Sequence, residues 1–250
     1  RNFRPTSFIR RIRPVAGEPF VTIRLRPTAE WGAGEPSRTR GSNHIRYVGP
    51  DHVMRLTTNA PVAYILDETG FLLQEPIDLL LGPDESLTDP LNMVSARFEE
   101  ETREYWRNWS RSLSIPFEWQ DEVIRAAITL KMCAFEETGA VIAALTTSIP
   151  EHADSGRNWD YRYCWVRDAA MIIDLYVRIG HIQSADGFIN FLLDRMQLKH
   201  EDIGVMYGIN GEEQLDEEVL DHLTGYEQSK PVRIGNDAYK QNQNDLYGEL

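Results

Sequence analysis

The sequence predicts a chain of two kinds of structure, an antiparallel β-sandwich followed by a run of α-hairpins. Three observations carry this. Apolar and polar residues alternate in the first ninety residues, the period of half-buried strands. Clusters of Gly, Pro, Asn and Asp interrupt that stretch at short intervals. Further on, the apolar period lengthens to that of a helix.

In Phe20 to Arg26, Val21, Ile23 and Leu25 alternate with Thr22, Arg24 and Arg26. Short apolar runs follow at His52 to Thr58, Val62 to Leu66 and Phe71 to Leu73. Turn clusters separate them at Gly32–Pro36, Gly49–Asp51, Asn59–Pro61 and Asp67–Gly70. Short strands with that punctuation fit a sandwich. Phe98, Thr102, Tyr105 and Trp109 then form a helical stripe, with Glu99 placed to pair with Arg103. Ser114-Ile115-Pro116 breaks this helix. A second begins near Glu118 with the stripe Val123, Ala127, Leu130 and Ala134. A third runs from about Asp168 to Ile179 and ends at Gly180. A fourth, capped by Ser184, carries Ala185, Phe188, Leu192 and Met196 on one face. A last helix begins near Asp237. The domains expected are residues 1–96 as the sandwich, 97–117 as a linker helix and 118–250 as a helical domain.

Composition excludes several classes. A formal net charge of −13 repels phosphate backbones, so nucleic acid is a poor partner. No stretch reaches the ~20 apolar residues that span a bilayer. The first residues show no signal region and no initiator Met, which reads as an internal start. Two cysteines, Cys133 and Cys164, make no disulfide framework, so a reducing, cytoplasmic setting is expected. The six histidines show no metal-ligand spacing, and no metal or cofactor is expected. Asn108-Trp109-Ser110 fits a glycosylation pattern but falls in a helical stretch, where it reads as a chance match.

The long polar loops Thr146–Arg167 and Glu201–Asn236 are where function is expected. Arg157 to Asp168 holds four aromatics and five charges in twelve residues, directly before a helix. Sugars present apolar C–H faces and hydroxyl rims, which aromatic rings and charged groups match. Tyr161, Tyr163 and Trp165 alternate, so an extended segment points all three one way. Asp168, beside Arg167 and at a helix N-terminus, is held ionised, a strong acceptor for hydroxyls and a poor proton donor. Arg167 orients it and donates to sugar oxygens. The same pattern also fits an aromatic strand packed in a core, with Arg167–Asp168 as a cap pair. The charges Asp160, Arg162 and Arg167 among the aromatics favour a site. Cys164 reads as a buried thiol rather than a nucleophile. The acidic run Glu212–Asp221 reads as a solvated face.

At these residues the sequence resembles glycoside hydrolase family 15, the glucoamylase, glucodextranase and trehalase family, in its prokaryotic form. The matching stretches are Trp119–Ala127, Thr146–Glu151 and Arg157–Asp168, then Leu220–Leu223, Gly225-Tyr226, Lys230–Asn236 and Asp245–Glu249. The resemblance implies a β-sandwich followed by a six-hairpin α/α toroid barrel. It implies inverting exo-hydrolysis that releases glucose from the non-reducing ends of α-linked gluco-oligosaccharides, with α,α-trehalase as the alternative reading and a non-catalytic carbohydrate-binding fragment as another. It carries over Tyr161, Tyr163, Trp165, Arg167 and Asp168 as sugar binders, with Arg233, Gly235 and Asn236 near the same pocket.

An inverting glycosidase needs an acid and a base about 6.5–9.5 Å apart. In the family the acid Glu follows a Trp downstream of the sugar segment, and no Trp-Glu pair occurs here. Both catalytic Glu are expected beyond Leu250. The later acids Glu201, Glu212, Glu227 and Glu249 lack the apolar setting of a proton donor, apart from Glu227 beside Tyr226 and Glu249 beside Leu250. The sandwich is expected to lack its first strands and the barrel its later hairpins. The 250 residues alone are expected to be inactive, with a homo-oligomer or the missing half of the same protein as partner.

Overall fold

The computed structural model describes residues 6–199, 203–245 and 248. Leu246, Tyr247 and Glu249 of the last matching stretch lie outside the described residues, as do Glu201 and Leu250. The chain divides into two compact units, Arg1–Trp106 and Arg107–Leu250.

The first unit is built on an antiparallel sheet in the order β1-β7-β5-β4-β3. Its strands are β1 (Phe8–Ile12), β3 (Ser37–Arg40), β4 (His44–Val48), β5 (Val53–Thr58) and β7 (Ile77–Pro83). Ile45 and Tyr47 of β4, Leu56 of β5 and Ile77 and Leu79 of β7 form the core. Against it pack a two-stranded ribbon, β2 (Phe20–Val21) with β6 (Phe71–Leu72), and the short helix α1 (Val62–Leu66). The alternation over Phe20–Arg26 holds throughout: Val21, Ile23 and Leu25 turn inward and their neighbours face out. Only Phe20–Val21 is paired as strand, however.

Val62–Leu66, expected to extend, is helical. Val62 and Ile65 are both buried. Three apart, they share a helix face but would point to opposite sides of a strand. Pro61, with its fixed φ and no N–H to lose, suits the entry. β7 lies between β1 and β5, and Ile77 to Leu80 are all buried. Asp78 among them is neutralised by Arg11 at 2.7 Å, which also reaches Glu99 at 2.7 Å on helix α2 (Leu91–Arg111).

α2 begins several residues before the expected start, directly after Pro90. The Glu99–Arg103 pair forms at 2.6 Å. The division between units falls inside this helix. Asn108-Trp109-Ser110 lies on it, with Trp109 buried.

The second unit holds α3 (Gln120–Met132), α4 (Val166–Arg178) and α5 (Ile182–Lys199). Its core gathers Cys133, Val141, Cys164, Val166, Ala169, Phe188, Phe191 and Tyr207. α4 and α5 form a hairpin whose turn is Gly180, at φ +81°. α5 starts at Ile182, so Ser184 lies inside the helix instead of capping it. Ala185, Phe188 and Leu192 face inward, whereas Met196 joins Ile189 and Leu193 on an exposed apolar stripe. The expected last helix is a single 3-10 turn, Asp237–Lys240, capped by the Asn236 side chain. No described helix is long and apolar enough to cross a membrane.

His181, after α4, lies between the rings of Trp109 and Tyr176, at centroid distances of 5.4 and 5.5 Å. Burial lowers its pKa below 6.5, and the Lys131 ammonium adds to this against Glu136. The unfolded ring takes up a proton near pH 6.5 that the folded ring resists, so stability should fall as pH drops below about 6.5. Urea midpoints at about pH 8 and about pH 5.5 should show the loss, and His181→Gln should reduce the difference between them.

Candidate functional site

Residues 157–165 run extended and antiparallel to 143–151. Amides of Ala143, Ala144 and Ser148 donate to the carbonyls of Tyr163, Tyr161 and Trp159, each at 2.9 Å. At its far end the segment becomes β8 (Cys164–Trp165), which pairs with β9 (Met206–Tyr207). Alternation then sorts the side chains. Asn158, Asp160 and Cys164 on one face are 0% exposed, and Arg162 joins them. Trp159, Tyr161 and Tyr163 on the other are only partly buried. An ordinary strand does the reverse, burying aromatics and exposing charges. The aromatic side is part open at Trp159, Tyr161 and Tyr163, while Trp165 on the same side is buried and Tyr161 and Tyr163 pack against its cluster, as the core-strand alternative also expects.

The same sorting corrects part of the sequence argument. Asp160 and Arg162 are not site charges. The Arg162 fork grips both Asp160 oxygens, at 2.9 and 2.7 Å, on the buried face. They stand two apart in an extended chain and so share a side. Cys164 behaves as expected of a buried thiol: burial pushes its pKa up to about 11.

Tyr161 and Trp165 lie with ring centroids 5.9 Å apart. Trp165 is only 6% exposed, seated on Val205, Met206 and Leu215, and it backs Tyr161 more than it faces solvent. Burial raises the pKa of both Tyr161 and Tyr163, so both phenols stay protonated and able to donate. Arg167 and Asp168 follow in the first turn of α4. Arg167 Nη1 donates to Asp245 Oδ2 at 2.7 Å, while its Nε stands 3.6 Å from Asp168 Oδ2. That Asp168 oxygen is shielded from solvent and has no hydrogen-bond donor. The Asp168 side chain is nevertheless part exposed, so a ligand hydroxyl would meet its outward part rather than this oxygen.

The later loop is tied onto this segment from the side. Thr147 Oγ1 and Ser148 Oγ donate to the Arg233 carbonyl at 2.6 and 3.2 Å, and Arg233 N donates to Ser148 Oγ at 2.7 Å. The Arg233 guanidinium lies 4.6 Å from the Trp159 ring centroid, donates to Asn158 O at 3.1 Å and pairs with Glu217 at 2.8 Å. Asn236 is buried. Its Nδ2 donates to Asp160 O at 3.1 Å and its Oδ1 accepts from Ala238 N at 3.0 Å. Gly235, at φ +75°, brings its backbone amide towards the Tyr163 hydroxyl. Arg233, Gly235 and Asn236 are thus brought to the site, but their polar groups are engaged in holding the loops together.

Two residues that matter here had been assigned no role. Asn158 donates to Ser229 O at 3.0 Å and Pro231 O at 3.1 Å, pinning the two loops from beneath. Asp245 holds Arg167. Both stand inside quoted motifs, but their partners are 71 to 78 residues away, beyond any local pattern.

Among the described residues, the carboxyls of Glu212, Asp216 and Asp237 lie below their ordinary values. Asp216, bonded by Tyr239, Gln214 and Lys240, falls to about 2. A proton donor needs the opposite shift.

The profile of "Glycosyl hydrolases family 15" matches residues 119–250. A trehalase of Mycolicibacterium smegmatis is 42% identical over 153 residues, covering 60% of this chain and 23% of that protein. A trehalase of Thermoplasma volcanium is 40% identical over 235 residues, 92% of this chain and 37% of that protein. "Trehalase 1" of Sulfolobus acidocaldarius is 30% identical over 244 residues, 96% of this chain and 42% of that protein. The chain thus spans between 23% and 42% of the length of these relatives. No solved structure matches it. The profile match covers more than half of the chain, and the chain belongs to glycosyl hydrolases family 15.

Proposed function

We propose that this chain supplies the glucose-holding surface of an α-glucoside hydrolase, and that its substrate is an α-linked disaccharide, trehalose first. The observation that carries the reading is the part-exposed Asp168 carboxylate at the end of the segment that holds the Tyr161–Trp165 pair. Tyr161 covers a sugar C–H face, Asp168 accepts from its hydroxyls, and Arg167 donates to its oxygens. The names of the relatives support trehalose over the glucoamylase-like reading, in which glucose leaves the ends of longer α-glucans. In the same reading the first unit is a β-sandwich domain, and α3, α4 and α5 belong to an α/α toroid barrel.

Hydrolysis with inversion needs one carboxyl to protonate the leaving oxygen and another to activate water. The described carboxyls shifted downward are unsuited to the first task. The purified 250-residue polypeptide is accordingly expected to release no glucose from trehalose or maltose above a buffer blank. Turnover of about 1 per second, ordinary for an enzyme, would place a working acid among these residues. The reading as a whole is tested on the enzyme expressed from its complete reading frame. Trehalose should be hydrolysed with a higher kcat/KM than maltose or maltotriose, and the opposite order would favour the glucoamylase-like reading.

A further inference from the structure

We propose that Trp159 is the platform for the second sugar ring of an α-linked disaccharide, beside the ring that Tyr161 covers, and so selects disaccharides over simple glucosides. This rests on the reading of Tyr161, Arg167 and Asp168 as contacts of the first glucose. Trp159 stands two residues before Tyr161 in the same extended run, so the two side chains leave it on one side, about 7 Å apart along the chain. Both are part exposed. They differ in what lies against them. Tyr161 packs on the Trp165 cluster. Trp159 meets the Arg233 guanidinium, 4.6 Å from its ring centroid. That arginine side chain is only 15% exposed, and it is itself held, by Glu217 at 2.8 Å and by the Asn158 carbonyl at 3.1 Å. One face of the indole is thus taken by a fixed cation, and the surface it shows to solvent lies away from that cation. A ring clamped in this way has its orientation set before a ligand arrives, which spares the ligand the cost of ordering it. A polar rim is present as well. Arg157, two residues before Trp159, pairs with Glu151 at 2.5 Å, and both side chains are exposed. Both charges act on the Tyr161 phenol, so they stand at the edge of the same surface. A sugar laid on Trp159 would set its C–H face on the indole and its hydroxyls towards one donor and one acceptor.

The test compares two substrates of the enzyme expressed from its complete reading frame. One is trehalose; the other is α-D-glucosyl fluoride, whose leaving group carries no second ring. Trp159→Ala should lower kcat/KM for trehalose about tenfold and for the fluoride less than about twofold, because only trehalose loses a stacking partner. Trp159→Phe, which keeps a flat ring, should recover most of the trehalose loss. Tyr161→Ala, under the first ring, should lower kcat/KM for both substrates alike. Equal losses on the two substrates in Trp159→Ala would mark a residue that only supports the loops, and wild-type kcat/KM for trehalose would mark a ring that no sugar touches. Either result overturns the proposal and leaves the reading of the first glucose intact. Wild-type kcat/KM on both substrates in Tyr161→Ala and in Asp168→Asn would instead remove the site reading, and this proposal with it.

Discussion

Asp168→Asn is expected to lower kcat/KM for trehalose by about two to three orders of magnitude in the enzyme expressed from its complete reading frame. The carboxylate is part exposed at the start of α4, with the Arg167 guanidinium at 3.6 Å. Hydrogen bonds to a charged acceptor contribute about 1.5–3 kcal/mol each. The amide loses the charge and replaces one acceptor with a donor, so two such bonds are weakened or reversed. A loss of about 3–4 kcal/mol corresponds to that range of rate constants. The melting temperature should hold within about 2 °C, because the Asp168 side chain is 41% exposed and its Arg167 contact is long, at 3.6 Å. Near-wild-type kcat/KM would move the sugar elsewhere.

Gly235→Ala is expected to have a large effect on stability. A Cβ there would overlap the Asp216 carbonyl oxygen and come within 2.6 Å of its carbon. Both are backbone atoms, which no rotamer change can clear. The φ of +75° adds about 1–2 kcal/mol for any residue with a Cβ. Together these should cost about 3–5 kcal/mol, a fall in melting temperature of roughly 10 °C. Gly156 is the control. It has a similar φ of +65° but open space around its Cβ position, so Gly156→Ala isolates the conformational part. If the two alanine variants melt together, the close approach to Asp216 is not what requires glycine.

Periodicity exposed the alternating Phe20–Arg26 segment, the stripe of α3 and the inward face of α5, because each is a local consequence of one packed side. The aromatic segment was legible for the same reason: Tyr161, Tyr163 and Trp165 must share a side once the chain is extended. What composition could not reveal is which side lies open. Asp160 and Arg162, among the aromatics, read as charges that favour a site, whereas a fully buried carboxylate meets the guanidinium fork two residues away. Val62–Leu66 went astray because a short apolar run fits a strand or a helix turn equally, and burial of Val62 and Ile65 decides between them. The Asp245–Arg167 and Asn158–Ser229 contacts left no trace in any window, since each joins residues more than 70 positions apart.

That last kind of contact bears on the order of assembly. The threads from Ser148 to Arg233, Asn158 to Ser229 and Asn236 to Asp160 all enclose the α4–α5 hairpin within their span. Closing a loop of that length is entropically late relative to pairing two neighbouring helices. The hairpin can form while residues 146–160 are still searching, and the knot around Arg233 closes over it. Interactions made after the rate-limiting barrier do not speed folding, but they slow escape from the native state. The loops that carry the candidate site are thus expected to act as a latch on the time the unit stays folded.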